Sequence, residues 1–229
     1  MTHNPFSAMT WRTWTLWLAS LGMVLAAHIG AGRLNALTLA ATLLGVTALI
    51  FMALGDAWGQ ALTAVFSVLY ALVAWHQRYF GEMITYLGMT LPMALLALVS
   101  WLRHPYQAGQ AEVAISRLRR RDLLLGGLSG AAVTIVFYFI LLALDTPELT
   151  LSTLSIFTSY AAAYLTWRRS SLYALGYAAN DAVLILLWLP AARQDVSHAP
   201  MVICFLMFLM NDLYGFFCWK RRARRQRLA

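Results

Sequence analysis

Two apolar runs, YAANDAVLILLW (177–188) and LMNDLYGFFCW (209–219), carry the dipeptide Asn-Asp near their middles. Asn180, Asp181, Asn211 and Asp212 offer amide and carboxyl groups, which bind small polar or cationic molecules when they face a cavity. A third run, YFGEMITYLGMTLPM (79–93), sets Glu82, Tyr86, Met89 and Met93 at helical spacing on one face. Tyr70, Tyr160, Tyr164, Tyr177 and Tyr214 lie deep in neighbouring runs, where a ring can stack on a flat ligand and a hydroxyl can bind a sugar oxygen. Trp188 closes the first run. No HExxH, GxSxG, Cys-His ligand spacing or Gly-rich phosphate loop occurs, so neither an enzyme nor a metal or cofactor site is expected.

The elements that hold these residues are membrane spans. The chain of 229 residues is 61% hydrophobic and 11% charged, far more apolar than the 45–50% or so of soluble domains. Apolar runs near 14–31, 36–53, 57–75, 83–102, 123–143, 149–167, 171–189 and 200–219 are each long enough to cross a hydrocarbon core of roughly 30 Å. The expected class is an all-α integral membrane protein. Asp181 and Asp212 then fall near mid-depth, where an ionised Asp costs about 2.5–3.5 kcal/mol, so a cavity or a partner must receive it. Two roles stay open for the Asn-Asp pairs: lining one polar cavity, or hydrogen bonding between helices with one Asp protonated or paired. Glu82 either shares that cavity or marks the outer interface. Cys204 and Cys218 sit in one run, too far apart to pair with each other.

Formal charge +8 suggests nucleic acid until the charges are placed. Alternating sides between spans puts 14 Lys and Arg residues on one side, including Arg12, Arg103, Arg117, Arg168 and the tail from Lys220 to Arg227. The other side holds 3, Arg33, Arg78 and Arg193. The positive-inside rule makes the first side, with the C-terminus, cytoplasmic. The basic tail is then a topology anchor at the bacterial cytoplasmic (inner) membrane, and nucleic acid is not a partner. The N-terminal 14–31 stretch lacks a basic n-region and reads as a retained helix, spanning or interfacial.

The spans also repeat. Trp101 matches Trp219, and Ala97 matches Gly215, at a constant offset of 118. A weaker echo sets Trp75 opposite Trp188 and Ser67 opposite Asn180. Both triplets enter from the same side, which makes a parallel repeat joined by one helix. The expected layout is an N-terminal tail and extra helix (1–34), a three-helix repeat (35–103), a basic loop (104–122), a linking helix (123–147), a second repeat (148–219) and a basic tail (220–229). Small residues in GGLSGAA (126–132) permit close helix approach, inside the protomer or between subunits.

At YFGEMITYLGMTLPM, ANDAVLILLW and NDLYGFFCWKRR the sequence resembles the PnuC family of bacterial vitamin transporters, over roughly residues 36 to 221. The resemblance implies a seven-helix 3+1+3, SWEET-like core, with an extra N-terminal helix, assembled as a homotrimer. It implies facilitated diffusion of nicotinamide riboside, thiamine or a nucleoside, with a cytoplasmic kinase trapping the product. Glu82, Asn180, Trp188, Asn211 and Tyr214 match family positions. The family's Trp-x-x-Trp reads Tyr173-x-x-Gly176 here, an Asn of the third core helix is Tyr86, and a Gly is Ala97. Nicotinamide riboside is the first substrate expected, a nucleoside or deoxyribonucleoside the second and thiamine the third. Proton coupling through Asp181 or Asp212 is a further option.

Overall fold

The computed structural model describes residues 3–32, 35–107, 110–146 and 148–228. Arg33, counted above on the sparsely charged side, and Ala229 lie outside them. Helix α1 (Trp11–Gly30) begins at Thr10, whose hydroxyl accepts from the Thr13 N–H. Helix α2 (Ala36–Leu54) begins at Asn35, whose side chain accepts from the Leu37 and Thr38 N–H groups. It stops at Gly55, which takes a left-handed φ of 73° that glycine adopts without a steric cost. Asp56 follows at once as the N-cap of α3 (Ala57–His76), so α2 and α3 form a tight antiparallel hairpin.

The next crossing, Phe80–Arg103, is assembled from α4 (Phe80–Thr85), a π-helical stretch (Tyr86–Thr90) and α5 (Leu91–Arg103). Pro92 stands just after the wide turn. Its ring and missing N–H break the regular ladder, and the π-turn absorbs that break without ending the span. Helices α6 (Arg120–Ala143), α7 (Leu149–Trp167), α8 (Tyr173–Gln194) and α9 (Ala199–Leu228) complete the chain. Among the described residues, seven helical segments are long and apolar enough to cross a bilayer, and α1 is one of them. The expected eighth, α7, has the length but not the mean hydropathy. Its polar residues account for this, and Ser152, Ser155, Ser159 and Thr166 turn inward and are buried.

Helix α2 packs on α3 and α9, and α7 packs on α8 and α5. Helix α1 lies against α2 and α9, while α6 rests mainly on α7. Two of the three glycines of GGLSGAA serve that last contact: a Cβ on Gly126 would sit 2.6 Å from the Tyr164 ring, and one on Gly130 3.2 Å from Tyr160. Close approach here is within the protomer. Two indoles tie the halves together. Trp101 Nε1 donates to the Thr166 carbonyl of α7 at 3.0 Å, and Trp219 Nε1 donates to the Met52 carbonyl of α2 at 2.8 Å. The rings of Trp101 and Trp219 lie 5.3 Å apart. The weaker echo fares differently, since Trp75 is 55% exposed while Trp188 is buried.

The stretch read as a polar loop and a basic tail is more ordered than its composition suggests. Helix α9 runs nine residues past Trp219, to Leu228. Its Arg225 and Gln226 donate to the Glu112 carboxylate, and Gln226 Oε1 accepts from the Ile115 N–H at 2.8 Å. Val113, at 2% exposure, closes over Gly55.

Candidate functional site

A central cavity lies where α2, α3, the π-turn, α7, α8 and α9 converge. Gly45, Ala48, Leu49 and Met52 form its apolar wall on α2, and Phe66 and Phe208 pack across it. Tyr177, Asn180 and Asp181 enter from α8, Asp212 from α9, Tyr86 and Thr90 from the π-turn, Thr63 from α3 and Ser159 from α7. The empty space there is ≈ 550 Å³ when every gap between atoms is counted, solvent-facing ones included. Only ≈ 50 Å³ of it is open to the centre of a water molecule. A ligand much larger than water therefore needs Phe66, Phe208 or the helices themselves to move.

The polar groups are not all satisfied. Asp181 and Asp212 are each 3% exposed, and their carboxyl groups face each other within hydrogen-bonding reach. Apart from that mutual contact, Oδ2 of both acids and the Thr90 hydroxyl have no hydrogen-bond partner among the described residues. Buried polar atoms are nearly always paired, so three atoms short of partners around one cavity mark a place for a ligand. Asn180 is different. Its Oδ1 accepts from Thr158 and Ser159 at 2.9 Å and from Ser155 at 3.5 Å, fixing α8 to α7 while its side chain still borders the cavity.

Aromatic layers flank the cavity on two sides. Toward Trp188, the Tyr70 ring lies 4.1 Å from that of Tyr86 at a tilt of 46°, receives the Trp188 Nε1–H at 3.1 Å, and points its own hydroxyl at Glu82 from 3.5 Å. Toward Trp219, that ring meets Tyr173 at 4.7 Å. Glu82, Tyr70 and Trp188 thus form a buried cluster next to the cavity without lining it. Tyr86 touches both.

Four of the residues expected at the site point elsewhere. Asn211 Nδ2 donates to Ser20 Oγ of α1 at 3.1 Å, and Tyr214 Oη sits 2.8 Å from Thr13 Oγ1, also on α1. Successive helical residues lie about 100° apart, and on α9 Asp212 faces the cavity while Asn211 turns toward α1. Tyr160 and Tyr164 fill the glycine surface of α6, and the Tyr164 hydroxyl donates to the Asp122 carbonyl at 2.9 Å. Reading the sequence alone also passes over Thr63, Phe66, Thr90, Ser159 and Phe208, which line the cavity. The run of hydroxyls in α7 was the available signal for Ser159.

A family model described as nicotinamide mononucleotide transporter matches residues 35–221. The chain belongs to that family. The nicotinamide riboside transporter PnuC of Neisseria mucosa is 25% identical over 190 residues, covering 81% of this chain and 72% of that one. A crystal structure of the vitamin B3 transporter PnuC matches the fold with a TM-score of 0.82 at 22% identity, over 95% of this chain and 94% of that one. The chain is thus an all-helical, multi-pass membrane transporter of the PnuC family, and its relatives are transporters rather than enzymes.

Within that family frame, the departures noted above acquire physical reasons. A Cβ on Gly176 would stand 2.8 Å from Ala162 Cα, so an indole cannot be placed there without driving α8 from α7. Tyr173, at 1% exposure, is committed to the Trp219 ring. Ala97 is buried at 1% between packed helices.

Proposed function

We propose that this protein carries a vitamin-type riboside, with nicotinamide riboside first, through the central cavity by facilitated diffusion. The observation that carries the proposal is the facing pair Asp181 and Asp212, whose Oδ2 atoms have no other protein partner, in a membrane-buried cavity with an apolar α2 wall. A pyridinium ring supplies the positive charge that such a pair attracts, and its ribose supplies hydroxyls for Asn180, Ser159 and Thr63. Tyr86 and Tyr177 offer ring faces. Among known proteins, the relative named as a nicotinamide riboside transporter points the same way. A uniporter only equilibrates its substrate, so net uptake calls for a cytoplasmic kinase whose product, now carrying an anionic phosphate, cannot return through a passage lined by two acids. A homotrimer in the bacterial inner membrane, with a 3+1+3 repeat and cytoplasmic C-terminus, completes the proposal. The matched Trp101 and Trp219 hydrogen bonds support the repeat, and the 14-to-3 charge split supports the orientation.

A nucleoside is the second reading. The closed position at Gly176 leaves no room for a stacking indole, and the same acids can accept from a sugar hydroxyl or an exocyclic amine. Thermal-shift binding of the purified protein against nicotinamide riboside, thiamine, adenosine and deoxyadenosine separates these. The largest stabilisation is expected from nicotinamide riboside, and stabilisation by nucleosides alone would overturn that order. In proteoliposomes, accumulation above equilibrium under a proton or sodium gradient would remove the uniporter.

A further inference from the structure

A second recess lies away from the central cavity, where the start of α1 meets the end of α9. It is far roomier: ≈ 640 Å³ is open to the centre of a water molecule, against ≈ 50 Å³ in the cavity. Arg12, Arg221, Arg222 and Arg225 line it, together with the hydroxyl residues Thr10 and Thr13 and the rings of Trp11 and Phe217. Four guanidinium groups meet one acid. Glu112 pairs with Arg225 and, at 3.6 Å, with Arg222, which also donates to the Ala53 carbonyl. Arg12 and Arg221 have no acidic partner among the described residues, and Arg12 rests 5.7 Å from the Trp11 ring. The apolar rim faces outward: Trp11 is 72% and Phe217 69% exposed, at the ends of two membrane-spanning helices.

The geometry points to a binding site for an anionic phospholipid, its phosphate held by Arg12 and Arg221 and its acyl chain laid along Phe217. Planar guanidinium forks suit phosphate oxygens, and unpaired like charges in one recess favour an anion between them. A rim aromatic on each helix places the site at the headgroup level rather than in bulk water. A soluble phosphate ester would use the same arginines but gain nothing from the exposed Trp11 and Phe217. The occupant would fasten α1 to α9, the helix that carries Asp212.

The test is native mass spectrometry of the full-length protein in neutral detergent, titrated with phosphatidylglycerol or phosphatidylcholine. The double variant Arg12→Gln/Arg221→Gln is compared with Lys220→Gln/Arg224→Gln, which removes equal charge outside the recess. Phosphatidylglycerol should be retained in preference to phosphatidylcholine. Its affinity should fall roughly 30-fold in the first variant, ~1 kcal/mol for each arginine, and little in the second. Melting without lipid monitors folding, and both arginines of the first variant are exposed. Equal loss in both variants, or equal retention of the two lipids, would overturn the site. Binding of inorganic phosphate or nicotinamide mononucleotide to the same arginines, with no preference for phosphatidylglycerol, would reassign it to a soluble phosphate ester.

Discussion

Replacing either cavity acid by its amide should make the protein more stable and a poorer binder. Asp181→Asn and Asp212→Asn keep side-chain size and one acceptor while removing a buried acid. An ionised Asp at the bilayer centre costs about 2.5–3.5 kcal/mol, and apart from each other these two acids have no protein hydrogen-bond partner for Oδ2. Part of the cost persists, because an amide in that cavity is still polar, which leaves a gain of ~1 kcal/mol in unfolding free energy per variant. For a chain of this size that is a rise of ~2–4 °C in the melting midpoint. Binding should move the other way. A hydrogen bond to a charged group is worth ~1.5–3 kcal/mol, so affinity for nicotinamide riboside should drop roughly 10- to 100-fold. Both quantities come from one assay, thermal unfolding in detergent across a ligand titration. Raised midpoints with weakened ligand shifts are the expected pair of results. Lowered midpoints with undiminished ligand affinity would mean that the acids are helix-packing partners, and the site would lie elsewhere.

Other outcomes follow from the same contacts. Asn180→Ala strips the acceptor shared by Thr158, Ser159 and Ser155; thermal unfolding should show a loss of ~1–3 kcal/mol, and an unchanged midpoint would refute its role as an α7–α8 tie. Trp101→Phe and Trp219→Phe each remove one indole-to-carbonyl hydrogen bond across the halves. If the repeat is real, their stability costs should match at ~1 kcal/mol, and a severalfold difference in chemical denaturation would argue against equivalence. Gly176→Ala should destabilise, because its Cβ would meet Ala162 backbone at 2.8 Å, whereas Gly127→Ala points into open space and should gain ~0.5–1 kcal/mol. A cysteine placed at position 229 should resist labelling from outside intact cells, and labelling there would reverse the orientation.

The sequence alone determined the class of molecule. Runs of apolar residues that span a bilayer, and Lys and Arg confined to the connections, are fixed by composition and spacing, because hydrocarbon tolerates little else. The depth of Asp181 and Asp212, the offset linking Trp101 to Trp219, and the resemblance at YFGEMITYLGMTLPM were legible for the same reason. What only the tertiary structure decided is which way each side chain turns. A span that is apolar all round has no periodic stripe to say which face meets protein and which meets lipid. Asn211 and Asp212 are neighbours in sequence, yet one ties α9 to α1 and the other faces the cavity. Tyr160 and Tyr177 are equally deep, but the first fills the groove over Gly130 and the second borders the cavity. Phe66 and Phe208 enter the site with nothing in their own residue type to mark them, because an apolar wall looks like any other apolar residue until its neighbours are known.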